Sequence, residues 1–196
     1  MSKLLYLIRH GHALHNELYT TLGVQAFRIP EVIDSPLTEM GHEQSLKLSE
    51  TIMDHKIDVV LVSPLLRTLE TAHNVFKSHN VPIVCEEFLR EYPIGLDTCN
   101  QRSDIDRMRE KFPQIDFSHI RENEDIYWNK QGETMDELET RIQQMKDYLR
   151  DMPQDNIAIV SHSSFLGQFK DQKIGYLENG DEELAHCYPY KYILDR

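Results

Sequence analysis

Three apolar runs in this chain stop in the same way, and that shared ending constrains the fold more than any other feature. "LLYLI" (4–8) leads into Arg9, His10 and Gly11, "VVLV" (59–62) into Ser63 and Pro64, and "IAIV" (157–160) into Ser161, His162 and two more serines. Runs of four or five residues without a polar interruption read as strands buried on both faces. "IVC" at 83–85 adds a shorter one. Helical patterns lie between them. Thr38 is a candidate N-cap for a helix to about Asp54, with Leu48, Ile52 and Met53 facing inward. Ser63-Pro64 reads as a cap and a first-turn proline, which predicts a helix over "LLRTLETAHNVF" (65–76). Thr134 and Glu137 form a capping box before a helix whose Met135, Leu138, Ile142, Met145 and Leu149 share one core-facing side. "YKYIL" (190–194) is expected to add an edge strand. Strands alternating with helices predict an α/β three-layer sandwich: a mostly parallel central sheet with helices on both faces.

Two stretches resist this pattern. A long polar connection containing Gly23 and Pro30 precedes "DSPLTEMG" (34–41), and residues 97–130 lack periodicity beyond a short helix near Asp104–Lys111. The latter are expected to form a polar insertion in a single domain spanning residues 1–196. A formal net charge of -12 argues against nucleic-acid or anionic-membrane partners, because both reward a basic face. Any anionic ligand must be drawn in by a local cluster of cations. Three cysteines (Cys85, Cys99 and Cys187) with no close pair suit a reducing, cytoplasmic setting. The first apolar run is shorter than a signal peptide's core, and no run reaches transmembrane length.

The strand ends carry the chemistry. In open α/β sheets ligands bind beyond the carboxyl ends of the strands, beside helix N-termini. Arg9, His10, Arg67 and His162, far apart in sequence, are therefore expected at one edge. Two guanidiniums and two imidazoles suit a dianion, since the planar arginine fork binds phosphate oxygens in pairs. A metal site built on His10, His12 and His15 is the competing reading. Histidine pairs at the end of a first strand occur in metal-dependent hydrolases on eight-stranded barrels, but those need about 250 residues. Arg9 would also repel a divalent cation, and no further metal-ligand motif is present.

Taken in order, these motifs resemble the histidine phosphatase superfamily, whose branches include cofactor-dependent phosphoglycerate mutases and many small phosphatases. Arg9, His10 and Gly11 match its signature tripeptide and Asn16 the asparagine that follows. "DSPLTEMG" is similar to its loop before the first long helix, and "SPLLRTLETA" (63–72) to the segment bearing its second arginine, Arg67. "LREYPIG" (89–95) matches the segment with its acid, Glu91, and "VSHSS" (160–164) the one with its second histidine, although Ser163 stands where the family usually has glycine. "HN" (15–16) and "TCNQRS" (98–103) most resemble the small phosphoglycerate-mutase-like proteins of plants and fungi.

The resemblance implies a phosphoglycerate-mutase-like fold and a metal-independent phosphomonoester hydrolase with a phosphohistidine intermediate. His10 would be the nucleophile and Glu91 the proton donor, then the base. Arg9, Asn16, Arg67 and His162 would hold the phosphoryl group. A small phosphorylated substrate is implied, with no metal or cofactor, and its leaving group would be chosen chiefly by residues 17–35 and 97–130. Each residue also has a bland reading. Arg67 could pair with Glu70 or Thr71 on its own helix, and Glu91 could belong to a solvated acidic loop with Glu86 and Glu87. His12 and His15 read as supporting or loop residues, and Arg102 as solvent-exposed, with substrate contact a weaker option. Three alternatives remain open at this level: phosphoglycerate-mutase-type transfer, a metal-dependent hydrolase, and a catalytically idle protein that binds phosphorylated ligands.

Overall fold

The computed structural model describes residues 2–52, 54–171 and 184–195, so Met53 lies outside the described residues. Six strands form one sheet: β1 (Lys3–Arg9), β2 (Val59–Val62), β3 (Ile83–Cys85), β4 (Ile115–Asp116), β5 (Asn156–Ser161) and β6 (Pro189–Leu194). Their order is β4-β3-β2-β5-β1-β6, parallel throughout except for β6, which runs antiparallel to β1 at the edge. Among the described residues six α-helices accompany them: α1 (Leu14–Leu22), α2 (Glu39–Ile52), α3 (Leu66–Phe76), α4 (Ile105–Lys111), α5 (Met135–Asp151) and α6 (Ser163–Asp171).

The period of two along the strands sorts the core into two halves. Tyr6, Ile8, Val60, Val62, Ala158 and Val160 face Leu48, Ile52, Leu69, Val75, Phe76, Ile105 and Met108 from α2, α3 and α4. Leu5, Leu7, Val59, Leu61, Ile157 and Ile159 face Leu138, Ile142, Met145, Leu149, Phe165 and Phe169 from α5 and α6. This is the three-layer sandwich. Among the described residues, no helix is long and apolar enough to cross a membrane.

Four local expectations need correction. The connection after β1 contains α1, whose buried position is the polar His15, so it left no apolar stripe to read. Ser63-Pro64 does not start α3. The helix begins at Leu66 with Leu65 at the cap position and no cap from its own side chain. The Leu66 N–H is met instead by Asp34 Oδ1 at 2.7 Å, a cap supplied from another segment. Residues 97–130 are more than a polar insertion: besides the expected short helix, α4, they contribute β4 and bury Ile105, Met108, Phe112, Ile115, Phe117 and Ile120. Arg102 is neither exposed nor in the cleft. Its guanidinium, 3% exposed, binds Glu87 and the carbonyls of Glu122, Asn123 and Glu124.

Candidate active site

The register aligns Arg9 with Ser161 and Val62 with both Val160 and Cys85, so the chain leaves β1, β2, β3 and β5 at one edge. There β1 delivers His10. A Cβ on Gly11 would stand 2.6 Å from the Gly41 carbonyl oxygen, and one on Gly41 2.1 Å from that of His12. Only glycine at both positions lets the β1 exit pass so close to the first turn of α2. The His10 N–H donates to Ser161 O at 3.0 Å, and its carbonyl accepts from His186 Nδ1 at 2.6 Å. The His10 ring is fixed as well. Its Nδ1 lies 2.7 Å from Gly11 O; a carbonyl only accepts, so Nδ1 carries the proton and Nε2 keeps its lone pair. Burial first, then the charges of Arg67, His162 and Arg9, hold the His10 pKa well below its ordinary value. The ring is a neutral base with one free nitrogen.

Arg67 is 1% exposed on the first turn of α3. Its two terminal nitrogens donate to Cys99 O (2.7 Å) and Asn100 Oδ1 (2.9 Å), and Nε makes no hydrogen bond. It pairs with neither residue of its own helix offered as an alternative. Glu70 accepts from Leu37 N–H and Lys111 Nζ, and the Thr71 hydroxyl donates to the Arg67 backbone carbonyl and accepts the Gly11 N–H. Arg67 therefore holds a buried positive charge against neutral acceptors, and burial lowers its pKa. Arg9 lines the same cleft and donates through Nη1 to Leu184 O at 2.8 Å. His162 lies behind His10, ring centroids 5.3 Å apart, with Nε2 on Ser63 Oγ at 2.8 Å. It is fully buried, and its Nδ1 makes no hydrogen bond.

Glu91 faces this group from the loop after β3. Its carboxylate accepts N–H groups from Tyr92 (2.8 Å), Phe165 (3.0 Å) and Ser164 (3.3 Å), the last two at the start of α6. Burial outweighs these bonds and the Arg67 charge, and raises its pKa. The solvated acidic loop is thereby excluded for Glu91. Asn16 gives its side-chain oxygen to Ala13 N–H at 3.0 Å, which leaves its NH2 group as the one able to meet a ligand.

The cleft is lined by Arg9, His10, Asn16, Arg67 and Glu91, together with His15, Phe27, Tyr92, Asp97, Cys99, Asn100, Ser163 and Ser164. Of the six residues singled out in the sequence, five line it, and His162 packs behind. Sequence reasoning assigns His15 only a supporting or loop role and Ser163 no role beyond replacing a glycine. Both are buried, and His15 Nδ1 and Ser163 Oγ make no hydrogen bond. The serine was visible as a departure from the motif; nothing in the sequence marked Phe27 or Tyr92 as wall residues. His12 Nδ1 meets Thr38 Oγ1 (2.9 Å) and His10 Nδ1 meets Gly11 O, which leaves Nε2 of each ring as its remaining donor atom for a metal. Among the described residues, no group of three His, Cys, Asp or Glu side chains is arranged to hold a metal ion.

A mostly parallel sheet whose carboxyl edge holds two arginines around a neutral imidazole defines an α/β protein with a cleft suited to an anion. Comparison with known proteins narrows the class. The sequence profile of the histidine phosphatase superfamily (branch 1) matches residues 5–176, and the chain belongs to that family. It is 30% identical over 197 residues to "Phosphoglycerate mutase-like protein 1" of Arabidopsis thaliana, covering 84% of this chain and 69% of that one. Across three such Arabidopsis relatives it spans 65% to 72% of their length. In fold it is similar to ecdysone phosphate phosphatase from Bombix mori, solved with tungstate (TM-score 0.67, 17% identity, 96% of this chain and 88% of that one). It is also similar to phosphoglycerate mutase from Bacillus anthracis (TM-score 0.63, 22% identity, 98% and 88%). At such identities the likeness establishes the phosphoglycerate-mutase fold.

Proposed function

We propose that the protein is a phosphomonoesterase that passes a phosphoryl group through His10 to water, without a metal ion. His10 Nε2 attacks phosphorus; the N–P bond forms as the bond to the leaving oxygen breaks. Glu91, whose pKa burial raises, gives that oxygen its proton. Water then attacks the phosphohistidine, Glu91 takes a proton from it, and the N–P bond breaks to release phosphate. Arg9, Arg67 and the Asn16 NH2 hold the phosphoryl oxygens, with Nδ1 of His162 behind them; arginine charge does the work a cation would otherwise do. Ser163 Oγ is a further candidate contact, a hydroxyl buried at the cleft wall without a partner.

One observation favours hydrolysis over mutase-type transfer. A mutase must keep a second anionic group of its substrate in place. Apart from Arg9 and Arg67, the described residues lining this cleft include no lysine or arginine, and the mouth carries Asp97. The decisive experiment screens purified protein against a panel of phosphomonoesters, measuring phosphate release with EDTA present. Release at an undiminished rate is expected. Loss of activity in EDTA with recovery on zinc or magnesium would revive the metal reading. Interconversion of 2- and 3-phosphoglycerate without release would establish the mutase, and phosphate binding without turnover the idle binder.

A further inference from the structure

We infer that the leaving group is uncharged and presents a flat ring to Phe27 and Tyr92, so that the substrates are phosphomonoesters of ring-bearing alcohols or phenols. This rests on the phosphomonoesterase reading. Three observations carry it. The first is space: the cleft offers about 70 Å³, room for about five waters. With a phosphoryl group on Arg9 and Arg67 filling most of that space, the rest of the substrate meets the remaining lining, which includes Phe27 and Tyr92. Tyr92 adjoins Glu91, whose carboxylate accepts the Tyr92 backbone N–H at 2.8 Å.

The second observation is the other aromatic lining residue, Phe27. Phe27 ends a short 3-10 turn after α1, with its ring stacked on Tyr19 (centroids 5.3 Å apart, 12° between planes) and set edge-on to His15 at 5.8 Å. An aromatic ring already oriented by two neighbours is a ready platform for another ring. The third observation is what the mouth cannot do. Arg28, the cation nearest in sequence to Phe27, is engaged by Asp97 at 2.9 Å. Asn100 spends its oxygen on Arg67 and its NH2 on Pro93 O. Among the described residues lining the cleft, a second phosphate or a carboxylate meets no lysine or arginine beyond Arg9 and Arg67, and Arg28 nearby is already paired with Asp97. Phe27 and Tyr92 thus supply the platform, and the bonds that Asp97 makes to Arg28 and Asn100 to Arg67 and Pro93 supply the exclusion.

Non-hydrolysable phosphonates separate this binding preference from leaving-group reactivity. Affinities of the full chain for phenylphosphonate, methylphosphonate, phosphonoacetate and orthophosphate can be read by calorimetry, which needs no turnover. Phenylphosphonate should bind about tenfold more tightly than methylphosphonate, and phosphonoacetate more weakly than either. Phe27→Ala should erase most of the phenyl preference, and Phe27→Leu, which keeps bulk but removes the ring, should do the same with an unchanged melting temperature. Equal affinity for phenyl- and methylphosphonate, or a preference that survives both variants, would overturn the inference while leaving phosphatase activity intact. Failure of every phosphonate and of orthophosphate to bind would overturn both the inference and the reading beneath it.

Discussion

Two sets of buried charges lie side by side in this molecule, and they are built on opposite principles. In one, Arg90 (0% exposed) donates to Asp125 through both terminal nitrogens at 2.7–2.8 Å and to Glu87 at 2.9 Å, and Arg102 joins the same glutamate at 3.2 Å. Burial opposes these charges, but Asp125 outweighs it and raises the Arg90 pKa, while Arg90 in turn lowers that of Asp125. In the cleft, Arg67 and Glu91 feel each other's field yet share no ion pair, and burial shifts both toward neutrality. Matched charges hold a loop in place. Unmatched ones lining a cleft suit a ligand that completes them, and in the proposed reaction the dianion's charge would meet the arginines and its leaving oxygen the acid.

The largest effect expected from this difference is at Glu91. Glu91→Gln should slow hydrolysis of an alkyl phosphate by about 10²–10⁴-fold and leave an aryl phosphate such as p-nitrophenyl phosphate much less affected. Equal losses in kcat/KM on both substrates would make Glu91 electrostatic or structural. The pH profile follows with its sign. Rate should fall at low pH as His10 protonates, at a pH below the ordinary 6.5, because the site depresses its pKa. Rate on alkyl substrates should fall at high pH as Glu91 ionises, above the ordinary 4.5, and that alkaline limb should vanish in Glu91→Gln. An acid limb above 6.5 would contradict the reading of the His10 environment.

The next effect sets the two arginines against each other. Arg67→Met should reduce kcat/KM by about 10²–10³-fold on both substrate types. Its stability should change by no more than about 2 kcal/mol, since two lost hydrogen bonds are offset by relief of an unmatched charge. Arg90→Met should do the reverse: about 3–5 kcal/mol lost, with Asp125 and Glu87 stranded, but activity retained below the melting transition. Denaturant melts and kinetics on both variants check this, and similar behaviour of the two would erase the distinction. The smallest effect belongs to Ser163. Ser163→Ala should lower kcat/KM about two- to tenfold and weaken orthophosphate inhibition alongside it, as expected for one neutral hydrogen bond. Unchanged kinetics would remove the hydroxyl from the cradle.

The floor of the cleft was legible in sequence because backbone geometry imposes it: strands that exit at one edge must deliver Arg9, His10 and His162 together, and glycine at 11 and 41 is required by contact. The cap of α3 was not, because Asp34 supplies it from another segment. Nor was α1, whose inward face is a histidine. The charge network around Arg90 and Arg102 was hidden for the same reason: its partners Glu87 and Asp125 meet only through the fold, and a polar stretch such as 97–130 looks alike whether its arginines are solvated or buried. The wall formed by Phe27 and Tyr92 depends on loop paths that no periodicity encodes.

The most direct test of the central claim is to trap the intermediate. The protein is mixed with a radiolabelled phosphomonoester, quenched within milliseconds, and the label on protein is followed in acid and in base. A phosphoenzyme labile in acid and stable in base, absent from His10→Ala although that variant melts at the parent temperature, is the expected result. An acid-stable phosphoenzyme, or turnover by His10→Ala at the parent rate, would contradict a phosphohistidine at His10.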